Sequence, residues 1–403
     1  MAEPVSRTRQ RLAALGSGAA TGKPKPPQAP SRASLFPDWE RHGEWVLVKR
    51  RFVELPDCVP SNLPPPGLFL KGAEHGTGDI LFFDTETTGL GGTGAFIFLL
   101  GIARFVEGGL EAEQIFLLDF PGEREFLSLV RERFSAFRLF VSYNGKTFDS
   151  HMLRGRFLMN RMSFSMGDQI DLLHPARRIW RPLLGDCSLH SIEENVLGVE
   201  RGLDIPGAEI PDVYHAFLRT GRTGRLSDVF EHNAEDVASL ARLYRLMGRL
   251  LAGDLDAAPC DRRALGAMLL ERGNPRGMEA LEKAYGEGNA EAGRAVSIRH
   301  KRNGGWDRAL EIWEGMAERK SLFAAMELAK YWEHKARDPQ RALAWVARAL
   351  SWGLPLDQET RRQIARRRER LEARIRDRGV PLSDRGIPLS DRGERVRSRN
   401  TKS

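Results

Sequence analysis

The sequence predicts an α/β domain, a mixed sheet with flanking helices, followed by an all-α domain. Apolar strands and amphipathic helices alternate between residues 78 and 250. Strand patterns stop after residue 255, where paired amphipathic helices take over. The chain has 403 residues, which exceeds a single ordinary domain of about 100–200 residues. We therefore expect two folded domains with a tail at each end.

The first domain is expected within residues 78–250, and its elements follow one another in a clear order. Strands are predicted at Ile80–Phe83, Ala95–Phe105, Gln114–Leu118, Leu139–Tyr143 and Gln169–Leu172. Helices are predicted over Glu123–Phe134, from Thr147, and over Leu226–Leu250, with a long loop region from His174 to Leu226. Three strands, a helix, a fourth strand, another helix, a fifth strand and a closing helix make an α/β pattern.

The second domain is expected within residues 255–355. An Ala-Leu step recurs at Ala280-Leu281, Ala309-Leu310 and Ala342-Leu343, with spacings of 29 and 33 residues. Breakers precede each second helix, at Gly273-Asn274-Pro275, Asn303-Gly304-Gly305 and Asp338-Pro339. Helical hairpins at such a period indicate a tetratricopeptide-like repeat, with an irregular helical bundle as the alternative. Such repeats offer a surface for a protein partner.

Both ends of the chain are low in complexity. Residues 1–40 are rich in Pro, Gly, Ser and Arg and are predicted to be disordered, and residues 41–77 form an extended lead-in with a strand near Trp45–Val53. Residues 356–403 are predicted to be the end of a basic helix and a disordered tail. In that tail Gly379-Val-Pro-Leu-Ser-Asp-Arg is repeated from Gly386 with Ile in place of Val.

The positive charge is concentrated at the two ends. Residues 1–51 hold ten Lys/Arg against four Asp/Glu, and residues 361–403 hold fifteen against six, whereas the whole chain carries only +8. The part between them is therefore acidic. We expect long-range attraction to nucleic-acid phosphate to come from the tails, and binding in the body to depend on local sites and metals.

The composition indicates a soluble protein of the cytoplasm. No apolar run approaches the roughly 18 residues that a membrane helix needs, so no membrane partner is expected. Cys58, Cys187 and Cys260 are far apart and lack the spacing of a zinc site or a disulfide framework. The first residues lack the apolar stretch of a secretory signal, although their Arg and Ser content leaves a transit peptide open as an alternative.

Two carboxylates end the first strand of the α/β domain. Asp84 and Glu86 follow Ile80-Leu-Phe-Phe, and residues two apart on a strand project from the same face. Carboxylate oxygens suit Mg²⁺ or Mn²⁺, and two such ions about 3.5–4 Å apart stabilise both the attacking and the leaving oxygen of a phosphodiester. Alone, an Asp-x-Glu at a strand end is also compatible with a solvated structural role.

Two further elements carry acids in comparable positions. Asp149 ends Tyr143-Asn-Gly-Lys-Thr-Phe-Asp, where a strand turns into the first turn of a helix, and an acid there also stabilises a helix start by about 0.3–1 kcal/mol. His232 and Asp236 lie four residues apart on the closing helix, so a base and a metal ligand share one face. A buried histidine with a structural hydrogen bond is the alternative for His232.

Together, these elements resemble the DEDD family of metal-dependent exonucleases, which has a ribonuclease-H-like fold. The stretches Asp171-Leu-Leu-His-Pro-Ala-Arg-Arg-Ile-Trp, Asp204-Ile-Pro-Gly-Ala-Glu-Ile-Pro and His232-Asn-Ala-Glu-Asp-Val resemble its bacterial YprB-like branch, which tends to carry tetratricopeptide-like helices after the nuclease domain. The resemblance covers residues 78 to about 350. His232 stands four residues before Asp236, the spacing of the tyrosine subtype, whereas the histidine subtype uses five.

The resemblance implies 3′–5′ exonuclease activity on DNA or RNA, at a single-stranded 3′ end. It implies that Asp84, Glu86, Asp149 and Asp236 hold two Mg²⁺ or Mn²⁺ ions and that His232 orients or deprotonates the attacking water. Asn144, Lys146 and Thr87 are predicted to contact the substrate. For Asn144, capping of the turn is an equal alternative.

Two other functions are alternatives to a nuclease. Gly89-Leu-Gly-Gly-Thr-Gly94 has the glycine spacing of a dinucleotide site, but that site needs a helix after the last glycine, and Ala95-Phe-Ile-Phe-Leu-Leu is predicted to be a strand. A non-catalytic scaffold that binds nucleic acid or protein is the second alternative. Four clustered carboxylates argue against a scaffold, because such charge needs a cation to balance it.

Overall fold

The computed structural model describes residues 32–55, 58–59, 62–72, 74–89, 94–202 and 204–377. The chain divides into two compact units, residues 1–252 and residues 253–403. Among the described residues no helix is both long enough and apolar enough to cross a membrane. The predicted disorder of residues 1–31 and the heptapeptide repeat from Gly379 lie outside the described residues.

A seven-stranded mixed sheet forms the centre of the first unit, in the order β1-β2-β5-β4-β3-β6-β7. Strands β3, β6 and β7 run parallel, with β7 at the edge of the sheet, and the remaining pairs are antiparallel. The strands are β1 Glu40–His42, β2 Val46–Glu54, β3 Ile80–Thr87, β4 Ile97–Val106, β5 Gly109–Leu117, β6 Leu139–Ser142 and β7 Asp168–Asp171. The α/β prediction and the five strands expected within residues 78–250 are confirmed.

Helices flank this sheet. They are α1 Glu123–Ser135, α2 Asp149–Met159, α3 Leu173–Leu184, α4 Leu189–Ile192, α5 Ile210–Thr220 and α6 Leu226–Ala252. Residues alternate faces along β3, so that Phe83 packs against Phe134 of α1 while Phe82 packs against Tyr244 of α6. Because Asp84 and Glu86 follow Phe82 at intervals of two, they lie on the α6 side of the sheet.

The predicted loop region from His174 to Leu226 is wrong, because much of this segment is helical. Leu173, Ala176, Ile179 and Trp180 recur at helical spacing and are buried on one face of α3. The helical pattern is masked in the sequence by Pro182 inside the helix and by the three arginines of the exposed face. A turn of π-helix at Glu193–Leu197 follows α4.

The prediction of disorder is wrong for residues 32–40, which are ordered on the first unit. Arg32 donates hydrogen bonds to Asp119 and to the carbonyl of Leu218. Phe36 is buried, and Trp39 packs with its ring 4.5 Å from that of Phe230. The packing of two large apolar side chains therefore orders this segment, although the composition around them is rich in Pro and Ser.

The second unit is all-α in its described part. Its helices are α7 Arg262–Glu271, α8 Arg276–Gly286, α9 Ala290–Arg302, α10 Trp306–Glu318, α11 Leu322–Lys330, α12 Pro339–Ser351 and α13 Gln358–Asp377. The first two predicted breakers end immediately before α8 and α10. In the third, Asp338 precedes α12 and Pro339 is its first residue. Ala280, Ala309 and Ala342 are fully buried, which places the recurring Ala-Leu step in the helix contacts. The tetratricopeptide-like assignment stays a prediction.

Candidate active site

The first part of the site is the end of β3, where Asp84 and Glu86 face α6. Asp84 pairs across the sheet with Gly101 of β4. A Cβ at Gly101 would lie 2.4 Å from Oδ1 of Asn233 and 2.7 Å from a methyl of Val237, so glycine lets α6 approach the sheet closely. Asn233 of α6 in turn donates a 3.0 Å hydrogen bond to Oδ2 of Asp84. The close approach thus ties the helix to the first carboxylate.

The second part is the turn between β6 and α2, which carries Asp149. Asn144 adopts a left-handed conformation with φ of 63°, as a tight turn requires. A Cβ at Gly145 would lie 2.4 Å from the hydroxyl of Ser142, so the turn can close only around glycine. Asp149 is buried in the first turn of α2, and Oδ1 accepts a hydrogen bond from the hydroxyl of Thr85 on β3. This bond ties Asp149 to the strand that carries Asp84 and Glu86.

The third part is the face of α6 that carries His232 and Asp236. Nε2 of His232 lies 3.6 Å from Oδ2 of Asp236 and 3.9 Å from Oε1 of Glu86. Both side chains of α6 are only 15% exposed. The structure therefore brings the predicted base next to two of the predicted metal ligands.

The carboxylates shift one another's pKa. Burial, followed by the charges of Asp236, Glu86 and Asp149, raises the pKa of Asp84 well above its usual range. Burial and the charges of Asp236 and Asp149 raise the pKa of Glu86 to about 8. Burial raises the pKa of Asp149 to about 6, although the hydrogen bond from Thr85 opposes this. Carboxylates from β3, α2 and α6 therefore share one desolvated region.

The sequence reasoning missed an arginine in this cluster. Arg201 lies between α4 and α5 with a side chain only 6% exposed, and its Nη2 donates to Oδ1 of Asp236 and to Oε1 of Glu193, the latter at 2.6 Å. The Glu193 side chain has no exposed surface. Although burial disfavours the charged guanidinium, these two carboxylates raise the pKa of Arg201. Arg201 thus supplies a positive charge beside Asp236.

Two more side chains in the site were not predicted. Asp204 accepts a hydrogen bond from Arg201 and lies 2.8 Å from Nδ1 of His232, and Asn233 donates a hydrogen bond to Asp84. Asp204 and Asn233 stand inside stretches that carried the family resemblance, and this was the available signal. No sequence motif around Arg201 or Glu193 indicates their role, because that role depends on tertiary contacts.

Two of the three predicted substrate contacts, Asn144 and Thr87, have local hydrogen-bond partners. The side-chain oxygen of Asn144 accepts a hydrogen bond from the Thr147 hydroxyl at 2.8 Å, which is the turn-capping alternative. The Thr87 hydroxyl donates to the carbonyl of Gly89 at 2.8 Å. Lys146 is exposed. Their contacts with a substrate stay predictions.

Two nearby acids, Asp171 and Asp168, have partners outside the carboxylate cluster. Asp171 accepts hydrogen bonds from the backbone N–H groups of Asn144, Lys146 and Leu173. Asp168 lies 2.8 Å from Nε2 of His75. Asp171 therefore holds the turn that positions Asp149, rather than joining the cluster.

The chemistry of the donor set fits a hard divalent cation. Four carboxylates share a buried region, where burial and neighbouring carboxylates raise the pKa of Asp84 and of Glu86, and burial raises the pKa of Asp149. A bound cation relieves this imbalance of charge. Among the described residues, however, no three acidic, histidine or cysteine side chains form a preformed metal site. Arg201, bonded to Asp236, provides part of the balance. Asp84, Glu86, Asp149 and Asp236 are the residues that would hold the cation.

Fold and site together define the class of protein. Residues 81–248 match the RNase_H_2 family model, described as RNase_H superfamily. The uncharacterized protein YprB of Bacillus subtilis (strain 168) is 32% identical over 302 residues, which cover 70% of this chain and 71% of YprB. The chain therefore belongs to the YprB family of ribonuclease-H-like proteins. This fold is of the nuclease type, which generally uses divalent metals and binds nucleic acid.

A solved structure gives a weaker likeness. The family B DNA polymerase from the hyperthermophilic archaeon Pyrobaculum calidifontis matches with 16% sequence identity and a TM-score of 0.36. The match covers 48% of this chain and 28% of the polymerase chain. At this level of similarity the polymerase adds nothing to the argument from the site.

Proposed function

We propose that this protein is a divalent-metal-dependent 3′–5′ exonuclease that hydrolyses phosphodiester bonds at single-stranded ends of DNA or RNA. The observation that carries the proposal is the cluster of Asp84, Glu86, Asp149 and Asp236, whose carboxylates share one desolvated region beside His232. Mutual repulsion of carboxylates destabilises a structural core, whereas a site for Mg²⁺ or Mn²⁺ requires several carboxylates close together.

Each element of the site has a distinct part in hydrolysis. The carboxylates would hold two cations, which would stabilise the charge that develops on the phosphodiester oxygens. His232 faces this region with Nε2 and accepts the proton of the attacking water. Lys146 is exposed beside the turn that carries Asp149 and contacts the phosphate of the substrate.

End-labelled oligonucleotides test this function. Single-stranded DNA and RNA, labelled at either the 5′ or the 3′ end, are incubated with the protein and Mn²⁺ or Mg²⁺. We expect stepwise shortening from the 3′ end, abolished by a chelator. Shortening from the 5′ end would overturn the polarity, and products cut only within the chain would overturn exonuclease action.

A non-catalytic scaffold is the second candidate, and Mn²⁺ binding separates it from the enzyme. If the cluster holds cations, Mn²⁺ raises the thermal midpoint of the wild type, because ligands that bind only the folded state stabilise it. Asp84→Asn loses that stabilisation. If wild type and Asp84→Asn respond equally to Mn²⁺, the scaffold becomes the better account.

The helical unit is proposed to bind a protein partner. The feature that supports this is a groove of about 870 Å³ between α7 and α9. Its apolar floor includes Leu270, Leu281 and Ile298, and Arg294 and Arg302 stand among its charged lining residues. Location of the protein in the cytoplasm remains a prediction from the sequence.

A further inference from the structure

The imidazole of His232 is held from the side opposite the carboxylate cluster. Its Nδ1 lies 2.8 Å from Oδ1 of Asp204, while its Nε2 points toward Asp236 and Glu86 at 3.6 and 3.9 Å. Asp204 lies between α4 and α5, and its side chain is 24% exposed. Nδ1 of His232 therefore faces Asp204, whereas Nε2 faces Asp236 and Glu86.

The contacts of Asp204 decide which ring nitrogen carries the proton. An ionised carboxylate accepts hydrogen bonds and donates none, so a 2.8 Å contact with Oδ1 requires a proton on Nδ1. Independently of His232, the Asp204 carboxylate accepts hydrogen bonds from the Arg201 guanidinium at 3.1 Å and from the backbone N–H of Ile205 at 2.9 Å, which favour its ionised form.

Arg201 offers a competing contact, which the geometry disfavours. Its Nη1 lies 3.1 Å from Nδ1 of His232 and could donate to that nitrogen only if Nδ1 carried no proton. In that case the lone pairs of Nδ1 and of Oδ1 on Asp204 would face each other at 2.8 Å. Nη1 already donates to Oδ2 of Asp204 at 3.1 Å, so the proton on Nδ1 satisfies all three groups.

Asp204 is itself held in place by fixed neighbours. Its Oδ1 also accepts a 2.9 Å hydrogen bond from the backbone N–H of Ile205. Its Oδ2 is bonded by Arg201, and Arg201 is anchored on the fully buried Glu193. A carboxylate fixed by a backbone donor and by an anchored guanidinium can impose its orientation on the histidine it contacts.

We propose that Asp204 is a positioning residue that fixes His232 in the tautomer with a proton on Nδ1, so that the lone pair of Nε2 faces the carboxylate cluster. The catalytic meaning of this tautomer depends on the proposed nuclease function. There the oxygen of water bonds to phosphorus, Nε2 takes the proton of that water, and the bond from phosphorus to the leaving sugar oxygen breaks. The leaving oxygen takes a proton from solvent.

Nitrogen spectroscopy of the histidine ring tests the proposal without any need for activity. The full chain is labelled with ¹⁵N-histidine and kept metal-free, at a pH where the ring is neutral, and His232 is assigned by its loss in His232→Asn. A free neutral imidazole in water prefers the proton on Nε2. We expect His232 of the wild type to show the reverse, a protonated Nδ1 and an unprotonated Nε2.

Substitution of Asp204 completes the test. In Asp204→Ala, His232 should revert to the proton on Nε2, whereas Glu200→Ala, which removes an exposed acid from the same segment, should leave the tautomer of the wild type. A proton on Nε2 in the wild type overturns the proposal, even if Asp204→Ala does not fold. Retention of the proton on Nδ1 in folded Asp204→Ala overturns it as well.

Kinetics separates this proposal from the proposed function. With saturating Mn²⁺, Asp204→Ala should lower kcat by roughly 10- to 100-fold with little change in KM, less than the about 10²- to 10⁴-fold that a general base contributes. An unchanged kcat would overturn the positioning role. If the wild type hydrolyses nothing, the proposed function fails, and the tautomer still decides whether Asp204 orients His232.

Discussion

The side chain of Glu86 links pH to stability in the metal-free protein. Its pKa is raised from 4.5 to about 8, chiefly by burial, so the folded state favours the protonated form. The stability from this protonation is complete below about pH 4.5 and is lost as the pH rises through about 8. Cation binding, in contrast, needs the ionised form. Across this range, a rise in pH therefore lowers stability through Glu86 while it favours cation binding.

We expect the free energy of unfolding in EDTA to fall as the pH rises from about 5 to about 8.5. Glu86→Gln should remove part of that slope, because a neutral side chain has no proton to lose. Asp84 and Asp149, whose pKa values are also raised, account for the rest. Urea unfolding at a series of pH values measures it. Glu107→Gln, at an exposed acid, serves as the control and should keep the wild-type slope. An equal slope in Glu86→Gln and the wild type would show that Glu86 does not titrate in this way.

Arg201 is a second residue whose effect can be predicted. Arg201→Met leaves the fully buried Glu193 without its cation, and removal of one partner from a buried pair costs about 3–5 kcal/mol. Glu193→Gln introduced into Arg201→Met should recover part of this loss, because it removes the unbalanced charge.

Denaturant unfolding of the single and double variants measures this coupling. Arg154→Met, at an exposed arginine of α2, should change the free energy of unfolding by less than about 0.5 kcal/mol. The account of Arg201 is wrong if Arg201→Met is as mild as this control.

At the scale of elements, the site depends on how closely α6 approaches β4. Gly101→Ala places a Cβ 2.4 Å from Oδ1 of Asn233, so the helix that carries His232 and Asp236 must move. We expect a loss of about 1–3 kcal/mol in the free energy of unfolding, together with reduced hydrolysis. Gly78→Ala, where a Cβ meets nothing within 4 Å, is the matched control. Equal effects of the two substitutions would refute the close-approach argument.

Local periodicity explains which elements of the site were predictable. Asp84 with Glu86 and His232 with Asp236 are set by the spacing of a strand and of a helix, so the sequence indicated both pairs. Arg201 and Asp204 lie in an irregular segment. Without the periodicity of a helix or a strand, the direction of their side chains could not be predicted. The helix α3 was missed because Pro182 and its arginines hide an apolar face.

Composition also misled at the N-terminal end of the chain, whereas the basic helix at the C-terminal end was expected. Residues 32–40 have the composition of a tail, but Phe36 and Trp39 dock on aromatic residues far away in sequence. In α13, which is rich in arginine, Ile364, Leu371 and Ile375 are buried, and Arg367 and Arg370 bond the buried Glu333. Both segments are ordered by partners that only the tertiary structure supplies.

At the scale of the whole molecule, the basic C-terminus is expected to strengthen binding to nucleic acid. Because α13 contributes to the core of the helical unit, a truncation should spare it and remove residues 378–403, which hold seven Lys/Arg against three Asp/Glu. We expect weaker affinity with a shallower dependence on salt, and nearly unchanged turnover on short oligonucleotides. Filter binding over a salt series measures this. Identical salt dependence in both proteins would contradict the role of this segment.

The central claim is that carboxylates from three elements act as one hydrolytic site. Its most direct test is the single-turnover rate of hydrolysis with Mn²⁺ in Asp84→Asn, Asp149→Asn and Asp236→Asn, against Asp168→Asn, whose side chain is 59% exposed. Loss of groups that merely support a metal ligand costs about 10- to 100-fold, so each cluster variant should lose more than about 100-fold. Asp168→Asn should stay within about twofold of the wild type. Wild-type rates in any cluster variant, or an equal loss in Asp168→Asn, would contradict the account.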